Sequence, residues 1–164
     1  MNDQQHFMRL EQMYLSAPYN RQLYHNNTIK ISREQAIITT EVMEKHFHGA
    51  GAMHGSVYFK LLDDAAFFAV NSIIKDYMVY TVSYSVNLLR PVGAGIIKSV
   101  GMVKYQARNR FVADANLYDQ EGKLAACGTG NFMRSPLKLG EMPEYTRELS
   151  DEPLKLHVKA AAKR

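Results

Sequence analysis

With 164 residues, 46% of them hydrophobic, the chain is sized for one domain with a substantial core. One cysteine, Cys127, excludes an intramolecular disulfide and fits a reducing, cytoplasmic compartment. The net charge of +4 suits a phosphorylated ligand, but the basic residues are scattered, so no nucleic-acid partner is expected.

Residues 4–17 place Phe7, Leu10, Met13, Tyr14 and Ala17 at helical spacing, which predicts a short amphipathic helix ended by Pro18 and Asn20. The charged Asp3, Arg9 and Glu11 interrupt any apolar stretch there, so no signal peptide is expected. Residues 28–32 and 36–43 read as two strands joined by a turn near Arg33–Gln35. A loop from His46 to Met53 follows, with Gly49 and Gly51. Its histidines, with His54, raise the question of a metal site. They lack a nearby carboxylate and structural zinc spacing, so neither metal nor cofactor is expected.

From Val57 to Ile74 the polar residues are Lys60, Asp63, Asp64, Asn71 and Ser72. The run has no Pro and no interior Gly, and its length predicts a buried helix. Its charges argue against a membrane span. Asp64 has Lys60 at i−4 and Asn71 at i+7 as a polar stripe. Asp63 shares its face with Ser56, Phe59, Ala66, Phe67 and Val70, which offer a carboxylate little. Either Lys60 reaches Asp63 at i−3 as a structural ion pair, or Asp63 is a functional group with an environment-shifted pKa.

Residues 79–89 alternate, with Tyr80, Val82, Tyr84, Val86 and Leu88 against Thr81, Ser83, Ser85 and Asn87: a half-buried strand, ended by Arg90-Pro91. Three more strands fit 95–106, 110–119 and 123–133, with Asp119-Gln120-Glu121-Gly122 as a hairpin turn. No helical crossover separates them, so the sheet should be antiparallel. The chain thus divides into an N-terminal helical extension (1–27), a main α+β domain (28–135) and a polar tail (136–164) expected to pack loosely or not at all.

His54-Gly55-Ser56 at the helix start, Asp63 nine residues after the His, His48-Gly49 before them, "SVNLLRPV" (85–92) and "DQEGKLAACGTGNF" (119–132) resemble the hotdog-fold thioesterases. Within these the pattern is most similar to the phenylacetyl-CoA thioesterase-like branch, over about residues 28–134. The resemblance implies a long central helix wrapped by a curved antiparallel sheet, and an acyl-CoA as substrate. It implies that Asp63 attacks the thioester or activates water, that the Gly55 N–H polarises the carbonyl, and that Thr81 positions the carboxylate. His54 would shape the loop. His48 stands where the family usually has Asn, and Ser56 where it has a second Gly. Neutral imidazole offers one donor and one acceptor, as Asn does, but it takes up a proton near neutral pH. Arg108 and Arg110 would meet CoA phosphates, or remain solvated charges; Tyr58, Phe59, Phe67 and Phe68 would line the acyl pocket, or serve as core.

Gly55 and Asp63 are eight residues apart, roughly 12 Å along one helix. One thioester carbon cannot touch both groups of one helix, so the implied mechanism requires a homodimer, with a dimer-of-dimers tetramer common in the family. The alternative function is a non-catalytic hotdog protein that binds an acyl group or acyl-CoA.

Overall fold

The computed structural model describes residues 1–149. The alternating segments form β1 (His25–Ser32), β2 (Gln35–Val42), β3 (Tyr77–Leu88), β4 (Gly95–Ala107), β5 (Arg110–Tyr118) and β6 (Leu124–Lys138). They make one antiparallel sheet in the order β1-β2-β4-β5-β6-β3, which leaves β1 and β3 as edges. The helices are α1 (Asp3–Ser16), α2 (Pro18–Leu23), α3 (Gly55–Asn71) and a short α4 (Pro143–Thr146). The architecture is the hotdog fold, one long helix against an antiparallel sheet with an additional N-terminal helix. No helix among the described residues is long and apolar enough to cross a membrane.

α3 is the core of the molecule. Leu61, Leu62, Ala65, Ala66, Ala69 and Val70 are almost completely buried. A large aliphatic side chain there contributes about 1.5–3 kcal/mol by leaving water. The helix sits directly on β4 because Gly101 has no side chain: a Cβ at Gly101 would lie 2.2 Å from the Ala65 carbonyl group. At the far end Asn71 is fully buried and ties helix to sheet. Its Oδ1 accepts the Val79 N–H at 3.0 Å, and its Nδ2 donates to the Tyr77 carbonyl at 3.2 Å. Asn71 therefore fixes the start of β3 instead of extending a polar stripe toward Asp64.

Three features depart from the sequence reading. β3 does not keep one phase. Its register against β6 slips between Thr81 and Ser83, a β-bulge at Val82. Before the bulge Thr81 pairs opposite the inward Phe132; after it Tyr84 pairs opposite Gly130. Thr81 and Tyr84 thus share the helix-facing side, while Tyr80 and Val82 are 44% and 53% exposed. Pro18, read as a stop, also opens α2 as its first residue, where its missing N–H costs nothing. β6 runs through Pro136 to Lys138. β5 starts at Arg110 opposite Met133, so beyond Met133 β6 is paired with β3 alone, and a strand edge tolerates proline.

The described part of the tail also packs, contrary to expectation. Leu139 and Tyr145 are buried. The Tyr145 hydroxyl lies 2.6 Å from His6 Nδ1, and Arg9 of α1 donates to the Tyr145 carbonyl at 2.8 Å. His6 Nε2 lies 2.9 Å from the Asn71 carbonyl, so α1, α4 and the end of α3 are knotted together. Residues 150–164 lie outside the described residues.

Candidate active site

α3 starts where the loop chemistry allows it to. His54 is the N-cap, with extended backbone, and its Nδ1 accepts the Ser56 N–H at 3.1 Å while lying 2.8 Å from the Ser56 hydroxyl. His54 and Ser56 therefore serve the helix terminus, and the His54 N–H is itself held by the His46 carbonyl at 2.8 Å. Among the described residues no acceptor takes the Gly55 N–H. It is a free donor at the positive end of a 17-residue helix, suited to a developing negative charge.

A cleft of about 310 Å³ opens at this donor, lined by His48, Met53, Gly55, Tyr58, Leu88 and Arg90 among others. His48 is exposed, and its Nδ1 accepts the Ala50 N–H at 3.1 Å, which leaves Nε2 as the ring nitrogen not engaged by the loop. Sequence reasoning did not connect Tyr58 with Arg90. The Tyr58 hydroxyl donates to the Arg90 carbonyl at 3.0 Å and so pins the strand end beside Gly55. The Arg-Pro strand end was the signal for this, but nothing in the sequence tied it to Tyr58.

Two turns further along α3 lies Asp63. It is half-buried, and the Thr81 hydroxyl donates to its Oδ1 at 2.9 Å. Burial pushes the Asp63 carboxyl up to about 6; the Thr81 hydrogen bond pulls it down, and the neighbouring Asp64 charge adds to the rise. Lys60 does not pair with Asp63. Its Nζ lies 3.1 Å from Asp64 Oδ2, as the i−4 spacing suggests.

The aromatic side chains on the Asp63 face meet one another. Phe59, 44% exposed, packs edge-on against Tyr84 at 5.8 Å, and Tyr84 against Phe132 at 6.4 Å. Phe67 is half-buried against Phe68 and Phe132. Tyr84 is the residue the sequence reading missed. A Cβ at Gly128 or Gly130 would lie 2.5 Å from its ring, so two glycines of β6 make its seat. Its hydroxyl is buried without a partner among the described residues.

Arg108 sits at the β4–β5 turn with φ +47°, and Arg110 opens β5; both are exposed. Arg110 lines a second cleft of about 230 Å³ with Val82, Ser83, Asn131 and Met133. The structure does not bring either arginine to the Gly55 cleft. His46 is buried, stacked on Tyr24 at 5.2 Å, with Nε2 2.8 Å from the Leu23 carbonyl. Among the described residues no three His, Cys, Asp or Glu side chains gather as a metal site.

The sequence profile of the thioesterase superfamily matches residues 50–126, from the loop before Gly55 into β6. Among solved structures, the PaaI protein of the E. coli phenylacetic acid degradation operon superposes with a TM-score of 0.75. It is 22% identical, and the match covers 83% of this chain and 97% of that one. A mutant of thioesterase SAV0944 from Staphylococcus aureus matches at TM-score 0.64 and 15% identity, covering 67% and 93% of the two chains. A mutant of thioesterase PA1618 from Pseudomonas aeruginosa matches at 0.62 and 18%, covering 68% and 82%. At these identities the shared property is the fold. No curated protein sequence matches significantly.

Proposed function

We propose that this chain, a hotdog-fold protein of the thioesterase superfamily, hydrolyses acyl-CoA thioesters to a free acid and CoA thiol. The observation that carries this reading is Asp63: a half-buried carboxylate, raised by burial to about 6, oriented by Thr81 and without a basic partner. Such a group is ionised at neutral pH and more basic than an exposed aspartate.

In the proposed reaction Asp63 Oδ2 attacks the thioester carbon or takes a proton from the attacking water, while Thr81 holds Oδ1. Negative charge then grows on the carbonyl oxygen, and the Gly55 N–H with the α3 dipole stabilises it. The C–S bond breaks and CoA leaves as a thiolate that takes up a proton; where Asp63 is the attacking group, water then hydrolyses the acyl–aspartate anhydride, releasing the free acid and regenerating the carboxylate. His48, at the rim of the Gly55 cleft, takes the place the family gives to Asn. Arg108 and Arg110 meet the phosphates of CoA, and Phe59 and Phe67 line the acyl pocket. A cytoplasmic location belongs to the same proposal, supported by the lone cysteine.

The reading includes a homodimer, and the edge strand β3 supports one. Its two ends touch the two halves of the site: Thr81 bonds Asp63, and Leu88 Cδ1 lies 3.6 Å from where a Cβ on Gly55 would be. Antiparallel pairing of β3 with its copy, centred near Tyr84–Ser85, sets Leu88 of one protomer beside Thr81 of the partner subunit. That register delivers Gly55 of one chain to Asp63 of the partner subunit. Unpaired edge strands invite such pairing, and the exposed Val82, Leu88 and Leu89 supply apolar surface for it.

The test is CoA release from a panel of acyl- and aroyl-CoAs, followed with a thiol-trapping dye, for wild type and Asp63→Asn. Turnover lost on substitution supports the reading. Tight acyl-CoA binding with no turnover in the wild type would replace it with the alternative, a non-catalytic binding protein.

A further inference from the structure

The other flank of α3 holds a second charged centre that the proposed reaction does not use. Lys60 is only 8% exposed, yet its ammonium is surrounded. Its Nζ lies 3.1 Å from Asp64 Oδ2 and donates to the Tyr14 hydroxyl at 3.0 Å. It also faces the rings of Tyr24, Tyr14 and Tyr19, at 4.2, 4.8 and 5.9 Å from their centroids. Tyr14 belongs to α1, Tyr19 to α2, and Tyr24 joins α2 to β1. Tyr14 in turn donates to Asn27 Oδ1 at 3.0 Å, and His46 stacks behind Tyr24. The N-terminal helices therefore meet the middle of the helix that carries Asp63 at a caged cation, in addition to the His6 contact at its end.

A cage of this kind is more than packing. Cation–π contacts and a hydrogen bond offset part of the desolvation of the ammonium. Burial draws Lys60 down and Asp64 up, and each charge pulls the other back. What the cage accomplishes for the site follows from position. Asp64 is the next residue to Asp63 and raises its carboxyl. An uncompensated carboxylate there would raise it further, because like charges at short range oppose ionisation.

We propose that Lys60 is a positioning residue for the reaction: anchored in the N-terminal helices by three tyrosines, it cancels the Asp64 charge and so fixes the electrostatic setting in which Asp63 ionises. The proposal rests on Asp63 as the reacting carboxylate. The groups that face Asp63 are Asp64 from its own helix, and Thr81 and Tyr84 from β3. Those that face the ion pair are Tyr14, Tyr19, Tyr24 and, behind them, His46. Among these, Lys60 is the one cation at the pair. The N-terminal extension thereby becomes part of the machinery of the site, although none of its residues touches Asp63.

The experiment is a charge cycle read on Asp63 itself. Carbon-13-labelled aspartate NMR follows the Asp63 carboxyl in wild type, Lys60→Met, Asp64→Asn and the double variant, with Asp63→Asn giving the assignment. The acidic limb of kcat/KM is measured in parallel. Lys60→Met should move the Asp63 midpoint and the limb upward by about one pH unit, and Asp64→Asn should move both downward by a similar amount. The double variant should return close to wild type. Loss of structural support alone lowers the melting temperature and does not drive the two single variants in opposite directions. Midpoints that coincide in all four proteins, or that move the same way in both single variants, overturn the proposal. If Lys60→Met does not fold, the nearly isosteric Asp64→Asn carries the test alone through its downward shift. A wild type whose Asp63 responds to the cycle, but which releases no CoA, would refute the thioesterase reading and with it the role of Lys60 in that reaction, leaving only the electrostatic coupling of Lys60, Asp64 and Asp63.

Discussion

Asp63 and Asp64 are the same residue type, one peptide bond apart, on opposite flanks of α3. Asp64 faces the N-terminal helices and meets a lysine held by tyrosines. Asp63 faces the edge strand and meets one hydroxyl. The protein thus leaves one carboxylate without a counter-ion and neutralises its neighbour. Burial and partner, rather than side-chain identity, decide which of two acids is poised for chemistry.

The contrast breaks most sharply by substitution of each acid. Asp63→Asn should lower kcat for CoA release by more than roughly 100-fold, the scale of losing an essential catalytic group. Asp64→Asn, assayed on the alkaline plateau, should stay within a few-fold of wild type. The reverse order of effects would move the chemistry to the other flank. The next largest effect concerns the edge that Asp63 faces. Val82→Lys places a charge on β3 and should yield monomers by light scattering, with activity falling in proportion to the monomer fraction. A fully active monomer would rule out the shared site.

Thr81→Val removes the hydroxyl that holds Asp63 and should cost about 10-fold in kcat/KM at pH 7, the scale of one hydrogen bond to a charged group. The same hydrogen bond lowers the Asp63 carboxyl, so its loss should also move the acidic limb upward. Wild-type activity itself should fall as pH drops through about 6. The stability consequence has the opposite sign from the usual aspartate. Unfolded, Asp63 ionises near 3.8; folded, near 6. Between these values the native state holds the extra proton, so stability declines as pH rises from about 4 to 6 and stays lower above. Asp63→Asn should therefore stabilise the fold at pH 8 by on the order of 2 kcal/mol, a gain that vanishes below pH 4. Denaturant titrations at the two pH values measure it.

The smallest effect is expected at His48. Imidazolium near the thioester would oppose the carboxylate, so His48→Asn should keep plateau activity and flatten part of the acidic limb. Superimposable pH profiles of the two proteins would show that this side chain does not govern the reaction.

Much of this arrangement was legible in the sequence because it rests on local periodicity. The run 57–74, free of Pro and interior Gly, and the hairpin at Asp119–Gly122 each announce their element, and helical spacing put Lys60 within reach of Asp64 while leaving Asp63 open as its partner. Long-range effects were not legible. Tyr145 looked like tail composition until His6 and Arg9 of α1 were found on it. Tyr84 looked like one more apolar position of a strand, because its glycine seat lies on β6. Asn71 read as the continuation of a polar stripe from Asp64, whereas its amide closes backbone groups that arrive from β3.

The extra residue at Val82 works like a frameshift in the strand. On either side of it, inward and outward positions are read in different frames, and Thr81 and Tyr84 both point inward only because the frame changes between them. Deleting Val82 would restore a single frame from Val79 to Leu88. Either the Thr81 end keeps its orientation and Tyr84 turns outward, or Tyr84 stays in its seat and Asp63 loses its hydroxyl. A chain one residue shorter would have a more regular strand and could no longer serve both halves of the site with it.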